Sequence, residues 1–309
     1  MTMIPKNAIM NTPTHLKKGD KIAILCPAGY IKEDLTPAFD ILRSWGLELE
    51  IYPSTYSQWN QFAGDDELRT KDLQHALDAT DIKAIIAGRG GYGSVRLIDR
   101  LDFSTFKKKP KWFVGFSDIT VIHSHIQKQL KTASIHGQMV KSFLDASPKS
   151  LATLKAALFG ENKDLQYTFS SFAHREGQAR GILTGGNLAI LHSILSSDSD
   201  VDYDGKILFI EDVGESYYNV DRMLWALKRA KKLSKLKGLI VGGFTGMKDS
   251  DPSFGQTVEE IIMDKVQEYD YPIAFGCPAG HIEDNRALVF GEEIELHVTA
   301  ENVFITYIK

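Results

Sequence analysis

Apolar residues along this chain come in two rhythms. Lys21-Ile22-Ala23-Ile24-Leu25-Cys26, Ile82 to Ala87 and Trp112 to Gly115 are short runs that are apolar almost throughout. A strand reads this way when helices cover both of its faces. Between the runs, Leu35 to Trp45 and Leu68 to Leu77 carry apolar residues near i, i+3, i+4 and i+7, the stripe of a helix with one buried face. Leu47 to Tyr52 reads as a further strand. Strand alternating with helix predicts a parallel sheet between helical layers. A helix opened by Ser147-Pro148 and running to about Phe159 ends this first unit, residues 15–160.

The rhythm lapses over 161–178. Gly160-Glu161-Asn162-Lys163-Asp164 and Ser170-Ser171 predict a linker there. A second unit occupies 179–309. In it Gly185-Gly186-Asn187 opens a helix to about Leu195, and Val220–Ala230 and Val258–Glu268 read as helices. Lys206–Ile210, Leu239–Gly242 and Pro272–Phe275 read as strands. The last forty residues alternate, through Leu288-Val289-Phe290, Ile294 to Val298 and Val303 to Tyr307. Alternation predicts antiparallel strands with one solvated face, so the second domain is expected to be mixed α/β. Residues 1–14 are polar, carry two prolines and read as a loose tail.

Composition narrows the function. The chain has 309 residues, enough for about two domains. Its net charge of -4 argues against a binder of nucleic-acid backbones. Two cysteines, Cys26 and Cys277, make no disulfide framework, and without a CxxC there is no cysteine zinc site. No apolar run reaches the roughly 18 residues of a membrane helix, and residues 1–20 hold no export-signal core. A cytoplasmic protein without a membrane partner is expected. Lys107-Lys108-Lys109-Pro110-Lys111 reads as solvated surface, and Trp225 with Met223, Leu224 and Leu227 as a core or subunit-contact face.

The candidate chemistry sits at strand ends. Gly88-Arg89-Gly90-Gly91-Tyr92-Gly93 matches G-x-G-x-x-G. A dinucleotide cradle, as in an oxidoreductase, is one reading. However, the loop follows the second apolar run of the parallel unit rather than the first, and lacks the expected acidic residue about 20 positions on. A tight turn is another reading, and a row of N–H groups aimed at a developing negative charge a third. Ser117, in Gly115-Phe116-Ser117-Asp118-Ile119, stands where a strand turns into a helix. It reads as an N-cap or as a nucleophile elbow, with Ile119 in place of the second glycine. An activated serine needs a base and an orienting carboxylate. His281 follows the turn Gly276-Cys277-Pro278-Ala279-Gly280, with His136 a second candidate. Glu211 directly follows the apolar strand ending at Ile210, with Asp212 beside it as a turn cap.

Taken in order, these pieces resemble the serine LD-carboxypeptidases, the family of murein tetrapeptide carboxypeptidases and microcin C immunity hydrolases. The resemblance rests on Leu16 to Asp20 with Pro27-Ala28-Gly29, Arg89 to Gly93, Gly115 to Asp118, Gly181 to Leu188, Phe209 to Asp212 and Gly280-His281. It implies a flavodoxin-like N-terminal domain, a mixed α/β C-terminal domain and an active site at their interface. It further implies a triad of nucleophile Ser117, base His281 and orienter Glu211, with backbone N–H groups of Asp118 and Gly91 as oxyanion donors. It extends to no metal or cofactor, a homodimer, and a murein peptide as substrate. Arg89 and Asn187 are expected to touch that substrate, and Arg89, Arg180 or Arg286 to hold its free carboxylate. The segment after Glu211 looks closer to the murein enzymes than to the immunity hydrolases, which act on aminoacyl-nucleotide amides.

Overall fold

The computed structural model describes residues 10–169 and 174–308. Residues 1–9 of the expected tail and Ser170-Ser171 of the expected linker lie outside the described residues. Five parallel strands make the first sheet: β1 (Lys21–Leu25), β2 (Glu48–Ile51), β3 (Ile82–Ala87), β4 (Trp112–Gly115) and β5 (Ser134–His136). Their order is β2-β1-β3-β4-β5, the flavodoxin-like order, which binds ligands outside the carboxyl ends of its strands. Helices α1 (Thr36–Ser44), α2 (Asp66–Asp78), α3 (Ser104–Lys108), α4 (Thr120–His125) and α5 (Pro148–Phe159) belong to this half. The caps follow from the sequence. Asp65 accepts from the Leu68 amide to start α2, and Ser147 accepts from Ser150, with Pro148 in the first turn, to start α5.

The second half contains β6 (Leu165–Thr168), β7 (Gly177–Asn187), α6 (Leu188–Ser193), β8 (Ile207–Val213), α7 (Tyr217–Arg229) and β9 (Gly238–Thr245). It continues with α8 (Val258–Val266), β10 (Ile273–Ala274), β11 (Leu288–Phe290), β12 (Glu293–Val298) and β13 (Asn302–Tyr307). Its sheet runs β10-β9-β8-β7-β12-β13-β6, parallel from β10 to β7 and antiparallel beyond. This is the mixed α/β unit the alternation predicts. No helix among the described residues is long and apolar enough to cross a membrane.

Three local expectations differ from the structure. Residues 165–168, within the expected linker, form β6, because Leu165 and Tyr167 alternate inward against β13. β12 and β13 alternate buried with more exposed residues as expected, but β11 does not. Leu288, Val289 and Phe290 are three consecutive buried apolar residues, the pattern of a strand covered on both faces. β11 therefore crosses over and pairs antiparallel with β5, becoming the sixth strand of the first sheet. Lys111 is buried rather than solvated. Its Nζ donates to the Ala76 and Ala79 carbonyls at 2.7 and 2.5 Å, where the end of α2 leaves acceptors unpaired. Burial pushes its ammonium down to about 8.

Candidate active site

β4 delivers Phe116 in extended conformation and then Ser117 at φ 62. A non-glycine residue in the left-handed region costs on the order of 1–3 kcal/mol, and such strain collects at functional sites. The capping alternative does not hold. The N-cap positions of the turn Ser117–Ile119 and of α4 are Phe116 and Ile119, and no side-chain bond closes either. A serine held half-exposed on a sharp strand-to-helix turn has the shape of a nucleophile elbow.

The glycine loop after β3 lies directly against this serine. A Cβ on Gly90 would stand 3.0 Å from Ser117 Cβ and 3.2 Å from its Oγ, so any larger residue would crowd the hydroxyl. Hydrogen bonds stitch the loop to its neighbours. Gly29, in the turn after β1, donates to the Gly90 carbonyl at 3.0 Å. The buried Asp118 carboxylate accepts from the Ser94 amide at 2.8 Å. Burial raises the Asp118 pKa, and the bonds from the loop act against that rise. Gly91 stands exposed at the top. Arg89 is half-buried, lies over the Tyr30 ring and donates to the Tyr30 carbonyl. The loop is thus packed on the serine beside it. Gly90 is the loop glycine that meets Ser117, whereas a Cβ on Gly91 would meet Gly29 and one on Gly93 the Arg69 side chain.

The second half supplies a paired carboxylate and imidazole. Glu211 was expected just past its strand but lies inside β8, which runs to Val213. The register of β8 against β9 shifts between Ile210 and Asp212. Between those pairs β9 carries two residues, Gly242 and Gly243, opposite the single Glu211, so the extra residue of this bulge belongs to β9, a device that bends a strand beside a site. Glu211 is 0% exposed. Its Oε2 accepts from the His281 Nδ1 at 2.6 Å and from the His281 backbone amide at 3.2 Å. With Nδ1 engaged, Nε2 is the ring nitrogen left for chemistry. His281 rides on the segment that leaves β10 in the second sheet and enters β11 in the first. Gly280 sits at φ +106, and a Cβ on it would lie 2.8 Å from Glu211 Cγ and Oε2. Asn285 Oδ1 accepts from the Gly280 amide at 2.8 Å, and the Thr245 hydroxyl donates to the His281 carbonyl at 2.9 Å. The Phe116 ring, adjacent to Ser117, packs edge-on against His281 with centroids 4.9 Å apart. That contact brings the two halves together.

Other expected residues have different places. Asn187 is buried and frames the site. Its Oδ1 caps α6 through the Ile190 amide, its Nδ2 donates to Asp212 at 2.9 Å, and its amide donates to Thr120 Oγ1. These bonds use one donor of its Nδ2 and one acceptor site of its Oδ1. Asp212 caps no following turn alone. It also accepts from the Ala189 amide, and burial, with Glu211 nearby, pushes it up to about 6. His136 is fully buried against Phe209 and Phe290, and burial holds its pKa well below the usual imidazole range. Arg180 is an exposed β7 residue paired with Glu293, seven positions before the strand's carboxyl end. Arg286 is committed to Asp284 through Nε and Nη2. The sequence reading missed the Asp118 side-chain bond, Thr245 and Asn285. For Thr245 and Asn285 it offered no signal, while Asp118 was noticed for its amide alone. Among the described residues, no group of three or more His, Cys, Asp or Glu could hold a metal ion.

Known proteins share this architecture. The LD-carboxypeptidase N-terminal domain matches residues 22–137, and the LD-carboxypeptidase C-terminal domain matches residues 180–296. A probable murein peptide carboxypeptidase of Bacillus subtilis is 32% identical over 95% of this chain and 93% of its own. The crystal structure of a muramoyltetrapeptide carboxypeptidase from Oxalobacter formigenes superposes with a TM-score of 0.84 at 32% identity, covering 94% of this chain and 99% of that one. A microcin C7 self-immunity protein solved with aspartyl sulfamoyl adenosine gives 0.83 at 20% identity over 96% and 98%, a likeness of fold. These matches place the chain among the hydrolases that act on peptide bonds. It belongs to the LD-carboxypeptidase family.

Proposed function

We propose that this protein is a serine LD-carboxypeptidase that removes the terminal D-alanine from murein peptides. The 2.6 Å bond between Glu211 and His281 carries the reading, because it joins a buried carboxylate to an imidazole beside the strained Ser117 turn. In this mechanism Ser117 Oγ attacks the carbonyl between the L-centre of the diamino residue and D-alanine, while His281 Nε2 takes its proton. The Gly91 and Asp118 amides receive the oxyanion. When the C–N bond breaks, His281 returns the proton to the departing amine. Water then attacks the acyl-enzyme, again with His281 as base, and the shortened peptide leaves. Glu211 fixes the ring's tautomer and stabilises its charged form. Arg89, at the lip beside Gly90, is the cation assigned to the terminal carboxylate, since Arg180 and Arg286 are committed to acidic partners.

Mass spectrometry of L-Ala-γ-D-Glu-meso-diaminopimelyl-D-Ala incubated with the protein tests this reading. Wild type is expected to release D-alanine, and Ser117→Ala to lose at least about 10⁴-fold in kcat while keeping its fold. In the same assay Arg89→Ala is expected to raise KM about tenfold or more. Turnover by Ser117→Ala near the wild-type rate would remove the nucleophile assignment. No release by wild type would redirect the search to aminoacyl sulfamoyl adenosines. The same reading carries a cytoplasmic homodimer. The free, buried Cys26 and Cys277 suit a reducing compartment, and light scattering checks the dimer.

A further inference from the structure

Three aromatic rings line one wall of the strand-end edge, and nothing in the mechanism above uses them. Trp59 and Phe62 close a tight hairpin by exchanging backbone bonds of 2.8 and 3.0 Å. Their rings stack with centroids 6.0 Å apart, and Phe62 meets Tyr92 at the same 6.0 Å separation. Phe62 is buried, with the Arg69 and Arg96 guanidinium groups 4.8 and 5.2 Å from its ring centroid. The flanking rings stay open: Trp59 and Tyr92 are each 49% exposed. Joined through Phe62, the rings make one contiguous aromatic face rather than scattered residues, and contiguous exposed apolar patches mark interaction sites.

The position of the wall suggests what it holds. The hairpin is bonded to the turn after β1, through Ala63 to Ala28 at 3.0 Å and Tyr30 to Gln61 at 3.4 Å. β1 lies two strands from β4 and its Ser117, roughly 10 Å at ordinary strand spacing. Tyr92 is nearer, two residues beyond the Gly90 that touches Ser117. In a murein tetrapeptide, three residues separate the scissile carbonyl from whatever is joined to the peptide's amino end. Extended, they also span roughly 10 Å. The charge of the wall speaks against an anion: Arg69 and Arg96 both pair with Asp66. A neutral ring with an apolar C–H face fits better, and a pyranose presents such a face.

We propose that Trp59 and Tyr92 form a subsite for the sugar ring of a muramoyl-bearing tetrapeptide. The inference rests on the LD-carboxypeptidase reading above. Its test compares kcat/KM for D-alanine release from muramoyl-tetrapeptide and from the free tetrapeptide. Wild type is expected to favour the sugar-bearing substrate by about fivefold or more. The ratio falls toward one in Trp59→Ala and in Tyr92→Ala, and Trp59→Phe keeps most of it. A wild-type ratio near one, or a ratio unchanged in both alanine variants, overturns the subsite and leaves the LD-carboxypeptidase reading intact. A change of molar mass in Trp59→Ala by light scattering also overturns it, because the wall then belongs to a subunit contact. No release from either substrate overturns both.

Discussion

Asp118 and Asp212 each follow a residue assigned to the chemistry, Ser117 and Glu211, and both are buried carboxylates that accept from backbone amides. Each ties the end of its own strand to a neighbouring segment. Asp212 also makes a pH prediction. Its carboxyl titrates near 6 in the fold, against an ordinary 3.8, chiefly because burial disfavours its charge. The folded state holds this proton more tightly than the unfolded chain. The group's contribution to stability is therefore full below about pH 4 and lost as pH rises through 6. Asp212→Asn removes that titration. Between about pH 4 and 6 the wild-type Tm should fall relative to the variant's, as followed by circular dichroism. A constant difference across that window would contradict the assignment. At this scale, the places of Ser117, Glu211 and His281 near strand ends were legible, because each comes just after or at the close of an apolar run. Asn285 and Thr245 were not. Their bonds to Gly280 and His281 depend on the path of the turn, which no residue type announces.

Elements were legible to within a few residues where the apolar rhythm was strong. β3 and β4 have the bounds their apolar runs mark. Partners were harder to read. Leu288-Val289-Phe290 reads as a strand, but its partner β5 lies about 150 residues earlier, and nothing local indicates it. The same holds for β6, a four-residue strand paired with β13 across more than a hundred residues. The consequence for β11 can be measured. Phe290 is buried among Phe209, His123 and His136. Phe290→Ala should cost about 3–5 kcal/mol in urea unfolding, as for other large aromatic truncations in a core. A loss below about 1 kcal/mol would mean that β11 is peripheral to the fold.

At the scale of the molecule, the two sheets share one apolar core. Residues of the first sheet such as Ile24 and Trp112 fall in the same buried cluster as Leu183, Phe209 and Ile305 of the second, with Phe290 of the crossing strand. Two units that could be drawn apart along the sequence are therefore joined by packing and by an exchanged strand. Calorimetry should show a single unfolding transition, and two resolved peaks would contradict this coupling. The change between two rhythms was legible on either side of 161–178, although four residues of that stretch form β6. The exchange was not, since it depends on where one short strand finds its edge.

That exchanged strand gives the chain a timetable. A ribosome completes Ser117 well before it reaches residues 281–290, at roughly 5–20 residues per second. Until those residues emerge, β5 stands as an open edge, able to pair with any passing strand. The residues of the proposed triad are also divided in time, because His281 arrives on the segment that closes the edge. Under the proposed triad, a nascent chain halted before that point would hold Ser117 without His281 and carry an exposed flank, and it is expected to stay hydrolytically silent until its last strands arrive.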